Sequence, residues 1–92
     1  MSTIDDLRKV YRKCKQARPD ATYLFRSDGK YWFFEKDCRQ ICEVMDWQCI
    51  CNAMYFGAEF LDRVSLRLLK FGLRVFVVHD GQAEELEVWT VR

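Results

Sequence analysis

Apolar residues recur at Ile4, Leu7, Val10/Tyr11 and Cys14 with charged residues between them. That is the spacing of an amphipathic helix over residues 4–17. Thr3 is placed to cap it, and Asp5 and Asp6 suit its positive N-terminal end. Pro19 stops it, because the residue before a proline is driven out of the α region. The pattern then changes to two nearly continuous apolar runs, about 21–27 and 30–35, split by Asp28-Gly29. An Asp-Gly pair tolerates positive φ at both turn positions and suits twisted antiparallel strands, so the segment reads as a tight β-hairpin. Continuous rather than alternating apolar runs predict strands buried on both faces. Tyr31, Trp32, Phe33 and Phe34 are then expected to alternate between those two faces.

Helical spacing returns over 36–46 through Cys38, Ile41, Cys42 and Met45. The charge-free stretch 47–56 predicts a connection and a short buried strand. Gly57 opens a third helix, about 58–71, with Phe60, Leu61, Val64, Leu68 and Phe71 facing in and Arg63, Arg67 and Lys70 on the opposite face. Gly72 is placed as its C-terminal cap. Residues 73–78 form the strongest strand pattern, Asp80-Gly81 gives a second turn, and Glu85–Val91 alternates into a last strand. The order α-β-β-α-β-α-β-β predicts an α+β fold, a mixed sheet packed with helices in one domain spanning 1–92.

Composition narrows the function classes. With 92 residues, half of them hydrophobic, the chain can bury a modest core without staples. It has no apolar run long enough to span a membrane and no N-terminal signal-peptide core, so a cytoplasmic protein is expected. The net charge is only +1, but residues 1–40 hold ten Lys/Arg against six Asp/Glu, and residues 41–92 hold five against eight. The basic excess concentrates in Arg8, Lys9, Arg12, Lys13, Lys15 and Arg18. Such a patch suits phosphates, the alternative being a solvated helix face.

The five cysteines, at 14, 38, 42, 49 and 51, form no Cys-x-x-Cys pair, and an odd count argues against a disulfide framework. Cys38, Cys42, Cys49 and Cys51 are two short pairs that can close a zinc tetrahedron. The favoured reading is that Cys14, Cys38 and Cys42 act as small hydrophobes on helix faces, so no metal or other cofactor is expected. No glycine-rich phosphate loop is present, and His79 has no nucleophile signature beside it. Glu84, Glu85 and Glu87 cluster after the second turn, with Glu85 and Glu87 expected to face solvent. A non-catalytic protein is expected.

An ordered series of motifs adds a family. A helix ends in Ala17-Arg18-Pro19-Asp20. Tyr23-Leu24-Phe25-Arg26 follows, then a two-residue turn, then Tyr31 and Phe34 before a helix containing Asp37. Later come Leu68-Leu69-Lys70-Phe71-Gly72-Leu73-Arg74-Val75 and the tail Glu87-Val88-Trp89-Thr90-Val91. In order and spacing, over about residues 4–91, this resembles the N-terminal mismatch-recognition domain (domain I) of the MutS family of DNA mismatch repair proteins. The resemblance implies a DNA-binding fold. In that family a Phe-x-Glu motif opens the second hairpin strand: the phenylalanine wedges into a mismatch and the glutamate contacts the displaced base. Wedging costs a few kcal/mol of unstacking, offset by the contacts that bent DNA makes. Here the aligned triplet is Lys30-Tyr31-Trp32, so neither role carries over. The turn reads Asp28-Gly29 where the family has Gly-Asp, and the connection between the second and third helices is shorter. The ATPase parts that follow domain I in MutS proteins have no counterpart, so no ATPase activity is expected.

Two function classes follow. One is a DNA-binding module that uses backbone contacts from Arg8, Arg12 and Lys15, helped by Lys9 and Lys13. Lys30 at the hairpin tip would add a phosphate or minor-groove contact, and Tyr31 or Trp32 would stack on an unpaired base. Such binding would be weak, salt-dependent and little sensitive to mismatches. The other is a protein-interaction or homodimer module that keeps the fold and uses 47–56 and Trp89 as its surface.

Overall fold

The computed structural model describes residues 3–88. It is an α+β fold whose elements follow the expected order. They are α1 (Ile4–Ala17), β1 (Ala21–Ser27), β2 (Lys30–Phe34), α2 (Glu35–Met45), β3 (Ala53–Gly57), a 3-10 turn (Ala58–Phe60), α3 (Leu61–Phe71), β4 (Arg74–His79) and β5 (Gln82–Leu86). Five strands form one sheet in the order β3-β2-β1-β4-β5. β1 runs parallel to β4, while β1–β2, β2–β3 and β4–β5 are antiparallel.

The local signals act as their chemistry requires. Thr3 accepts from the Asp6 N–H and the Asp6 carboxylate accepts from the Thr3 N–H, a reciprocal cap that satisfies two otherwise orphaned donors. Asp28 (φ 54°) and Gly29 (φ 71°) both take the left-handed conformation, so the hairpin turn follows the strand twist. Ser27 pairs with Lys30 directly across it.

Helices cover both faces of the sheet, which is why β1 reads as a continuous apolar run. On one face α1 packs Tyr11, Leu7 and Cys14 against Tyr23, Phe25, Phe34, Phe76 and Val78. On the other, α2 and α3 bring Cys38, Ile41, Cys42, Met45, Val64 and Leu68 against Leu24, Tyr31, Phe33, Phe56 and Val75. The expected alternation along β2 holds: Tyr31 and Phe33 join the second cluster, Trp32 and Phe34 the first.

Three expectations need correction. The last strand among the described residues is Gln82–Leu86: it starts three residues before the expected 85, because the two-residue turn pairs His79 with Gln82 at once, and residues 87 and 88 do not continue it. Trp89 and the rest of 89–92 lie outside the described residues, as do Met1 and Ser2. The stretch 47–56 is not buried as a unit. Residues 47–52 form a surface connection, and of β3 only Phe56 is buried, because β3 is a sheet edge. The third helix begins with a 3-10 turn, and only its centre faces in: Val64 and Leu68 are buried, while Phe60 and Phe71 at its two ends are exposed. No described helix is long and apolar enough to cross a membrane.

Candidate nucleic-acid interface

The six residues singled out for DNA contact fall into two groups. Lys15 and Tyr31 are committed to the interior. The Lys15 ammonium donates to the Asp37 carboxylate at 2.8 Å and to the Ala21 carbonyl. Asp37 is fully buried, and its second oxygen accepts from the Tyr23 N–H at 2.9 Å. Burial pushes the Asp37 carboxyl up, against the pull of the Lys15 ammonium and the Tyr23 N–H. Lys15 therefore ties α1 to β1 and α2, a structural duty that accounts for a cation at that position. Tyr31 is 3 % exposed, stacks on Phe56, and accepts a hydrogen bond from Arg26 at its hydroxyl. A base cannot reach its ring.

Arg8, Arg12, Lys30 and Trp32 remain accessible, and two surfaces organise them. The first is a row on the α1 side of the sheet that runs from Arg8 over the buried Phe34 to the accessible Trp32 and Tyr55. The Arg8 guanidinium lies 5.7 Å from the Phe34 ring centre. Phe34 is parallel to Trp32, with 7° between their planes. Trp32 meets Tyr55 at 4.8 Å between ring centres, and the Lys30 ammonium sits 4.5 Å from the Tyr55 ring. This row exists because Trp32 and Tyr55 are paired across β2 and β3, while α1 packs its Tyr11 ring on Phe25 and Phe34. Tyr55, on the edge strand, is half exposed.

The second surface is a groove between α1 and the start of α2, lined by Arg8, Arg12, Lys36, Arg39, Tyr11, Glu35 and Asn52. Four cations share it with one carboxylate. Arg12 donates to Glu35 twice, at 3.3 and 3.0 Å. The Arg8 Nε is buried without a hydrogen bond and lies 3.9 Å from the same carboxylate oxygen. Glu35 itself holds a left-handed backbone (φ 49°), fixed by its N–H donating to the Asn52 carbonyl at 2.8 Å. A non-glycine residue in that region carries about 1–3 kcal/mol of strain, which the flanking strand and helix must offset. The strained junction aims the carboxylate at Arg8 and Arg12.

Sequence reasoning missed Lys36, Arg39 and Tyr55. Lys36 and Arg39 lie at i, i+3 on a helix, a signal available in the chain. Tyr55 opposite Trp32 depends on strand register, which the chain does not display. Lys9 and Lys13 are exposed on α1 but line neither surface.

A separate cluster lies on the other side of the sheet. Cys38 and Cys42 are buried on α2, and Cys49 comes from the connection 46–52; their three sulfurs lie within 4.8 Å of one another. Burial and the neighbouring thiols push the Cys38 thiol up to about 12. His79 is an exposed strand end with Asp80 at 3.7 Å. Glu85 is exposed, as expected, and paired with Arg74 at 3.1 Å. No family model matches the chain, and a search of curated proteins finds no match.

Proposed function

We propose that this chain is a non-catalytic, MutS domain I-like DNA-binding module that grips phosphates and stacks an unpaired base, without a mismatch wedge. The observation that carries the reading is the accessible pair of rings Trp32 and Tyr55, with Lys30 over Tyr55, beside a four-cation groove. Aromatic rings offered beside basic side chains suit single-stranded nucleic acid, because every base has a stacking face and every nucleotide a phosphate. Lys30, at the family's wedge position, is held over Tyr55 and cannot enter a base stack as a ring does. Mismatch selectivity is therefore not expected.

Anisotropy titrations of labelled single-stranded, duplex and mismatched duplex DNA at several salt concentrations test the reading. Contacts to roughly three to five phosphates predict a log–log salt slope of about −2 to −3.5 on single strands. Single strands should bind best, and the two duplexes should bind alike. No binding to any of them at low salt refutes the proposal.

A second reading, a protein-interaction or homodimer module, draws on the apolar groove beside the β3 edge, lined by Met45, Trp47, Met54, Phe56 and Phe60. Edge strands offer unpaired backbone groups for strand addition. Light scattering that finds a dimer whose formation is abolished by Phe60→Ser would favour it.

A further inference from the structure

We infer that Cys38, Cys42 and Cys49 form the core of a Zn2+ site, with their three thiolates as ligands and the fourth position on the solvent side, toward Cys51. The inference does not depend on DNA binding. Cys38 and Cys42 sit one turn apart on α2, which brings their side chains to one face. Their burial alone is what small hydrophobic residues would do. Cys49 is different: it is exposed and sits in a connection without regular structure, so core packing does not account for its position. Yet its sulfur converges with the other two, all pairs falling within 4.8 Å.

Zn–S bonds of about 2.3 Å place tetrahedral sulfurs about 3.8 Å apart. The observed set therefore needs an inward closure of about one ångström or less to hold the ion. Soft thiolates select Zn2+ over the hard cations Mg2+ and Ca2+. Cys51 is the next cysteine along the connection, and the Met54 thioether accepts from the Cys42 thiol at 3.5 Å. The Cys51 carbonyl accepts from the Cys38 thiol at 3.2 Å and from the Cys49 thiol at 3.6 Å, while the Cys51 thiol is turned to the Ala53 carbonyl at 2.9 Å. Binding replaces the three S–H bonds with three Zn–S bonds and releases three protons to solvent. It would pin the connection that leads into β3 onto α2.

The test uses the full chain under a phosphine reductant, titrated with Co2+ and then Zn2+. The expected result is one equivalent of Co2+ with thiolate charge-transfer bands and tetrahedral d–d absorption, displaced by Zn2+ in competition with a chromogenic chelator. Cys49→Ser, an exposed change whose fold is checked by circular dichroism, should weaken Zn2+ at least tenfold. Cys14→Ser, on the opposite face of the sheet, should leave it unchanged. Zn2+ should also protect Cys49 from alkylation. The inference is overturned if the reduced protein takes up no stoichiometric metal, if Cys49→Ser binds as tightly as the parent, or if Cys14→Ser loses as much affinity as Cys49→Ser.

Discussion

Replacing Lys15 with alanine separates a structural cation from a DNA contact. Its ammonium is the only side-chain cation bonded to Asp37 among the described residues, and that carboxylate has no exposed surface. In Lys15→Ala the charge keeps the Tyr23 N–H at 2.9 Å and loses its counterion, and the Ala21 carbonyl loses a donor. Breaking a buried pair from one side costs about 3–5 kcal/mol, because an uncompensated charge stays in the interior. A 92-residue domain has roughly 5–14 kcal/mol in total, so the variant should lie close to its unfolding limit. Arg12→Ala removes an exposed partner of Glu35 and should change stability by less than about 1 kcal/mol.

The pH dependence has a definite sign. Burial already pushes the Asp37 carboxyl up, and loss of the ammonium pushes it further. A carboxyl raised in the folded state favours folding as pH falls, since the folded form then binds the proton more tightly. The deficit of Lys15→Ala should therefore shrink between neutral and mildly acidic pH, and Lys15→Ala/Asp37→Asn should recover part of it at neutral pH. Urea titrations followed by tryptophan fluorescence read both effects from the midpoint at constant slope. A Lys15→Ala midpoint within about 1 kcal/mol of the parent at pH 7, with no pH dependence, would refute the structural assignment. Lost DNA affinity in such a stable variant would return Lys15 to the binding surface.

Glu35→Gln removes the carboxylate that competes for Arg8 and Arg12; single-strand affinity should rise about 3- to 10-fold at low salt, and the anisotropy titration reads it. Trp32→Ala and Tyr55→Ala should each cost about 1–3 kcal/mol of single-strand binding, the scale of one lost base stack. Tyr11, whose hydroxyl is pushed up to about 12 by burial and the Asp37 charge, favours folding while protonated. Its contribution should be present below pH 10 and lost as pH rises from 10 toward about 12. Alkaline melts of the parent against Tyr11→Phe check this.

The elements were legible where one local signal dominates. Thr3, Pro19, Asp28-Gly29, Gly72 and Asp80-Gly81 fix ends and turns by backbone chemistry alone, and the continuous β1 run announced burial on two faces. The exposed character of 47–52 and of Tyr55 was hidden, because lack of charge reads as burial when sheet order is unknown, and β3 becomes an edge only once the sheet is assembled. The candidate surface was half legible. Arg8, Arg12, Lys30 and Trp32 were found as basic or aromatic residues, but a lysine on a helix does not disclose a buried partner such as Asp37. Tyr31 and Trp32 are neighbours in sequence and opposite in fate, because adjacent strand residues face opposite sides. Which side stays open was decided by where α1 packs. The convergence of Cys49 on Cys38 and Cys42 depends on the path of an irregular connection.

The most direct test of the DNA-binding account is an amide and aromatic NMR titration of the protein with a short single-stranded oligonucleotide at low salt. The account predicts shifts that cluster on Arg8, Arg12, Lys30, Trp32, Lys36, Arg39 and Tyr55, with little change at Arg63, Arg67 and Lys70 on the exposed face of α3. It also predicts that the shifts fade as salt is raised. Shifts centred on α3, or none across that first set of residues at saturating oligonucleotide, would contradict it.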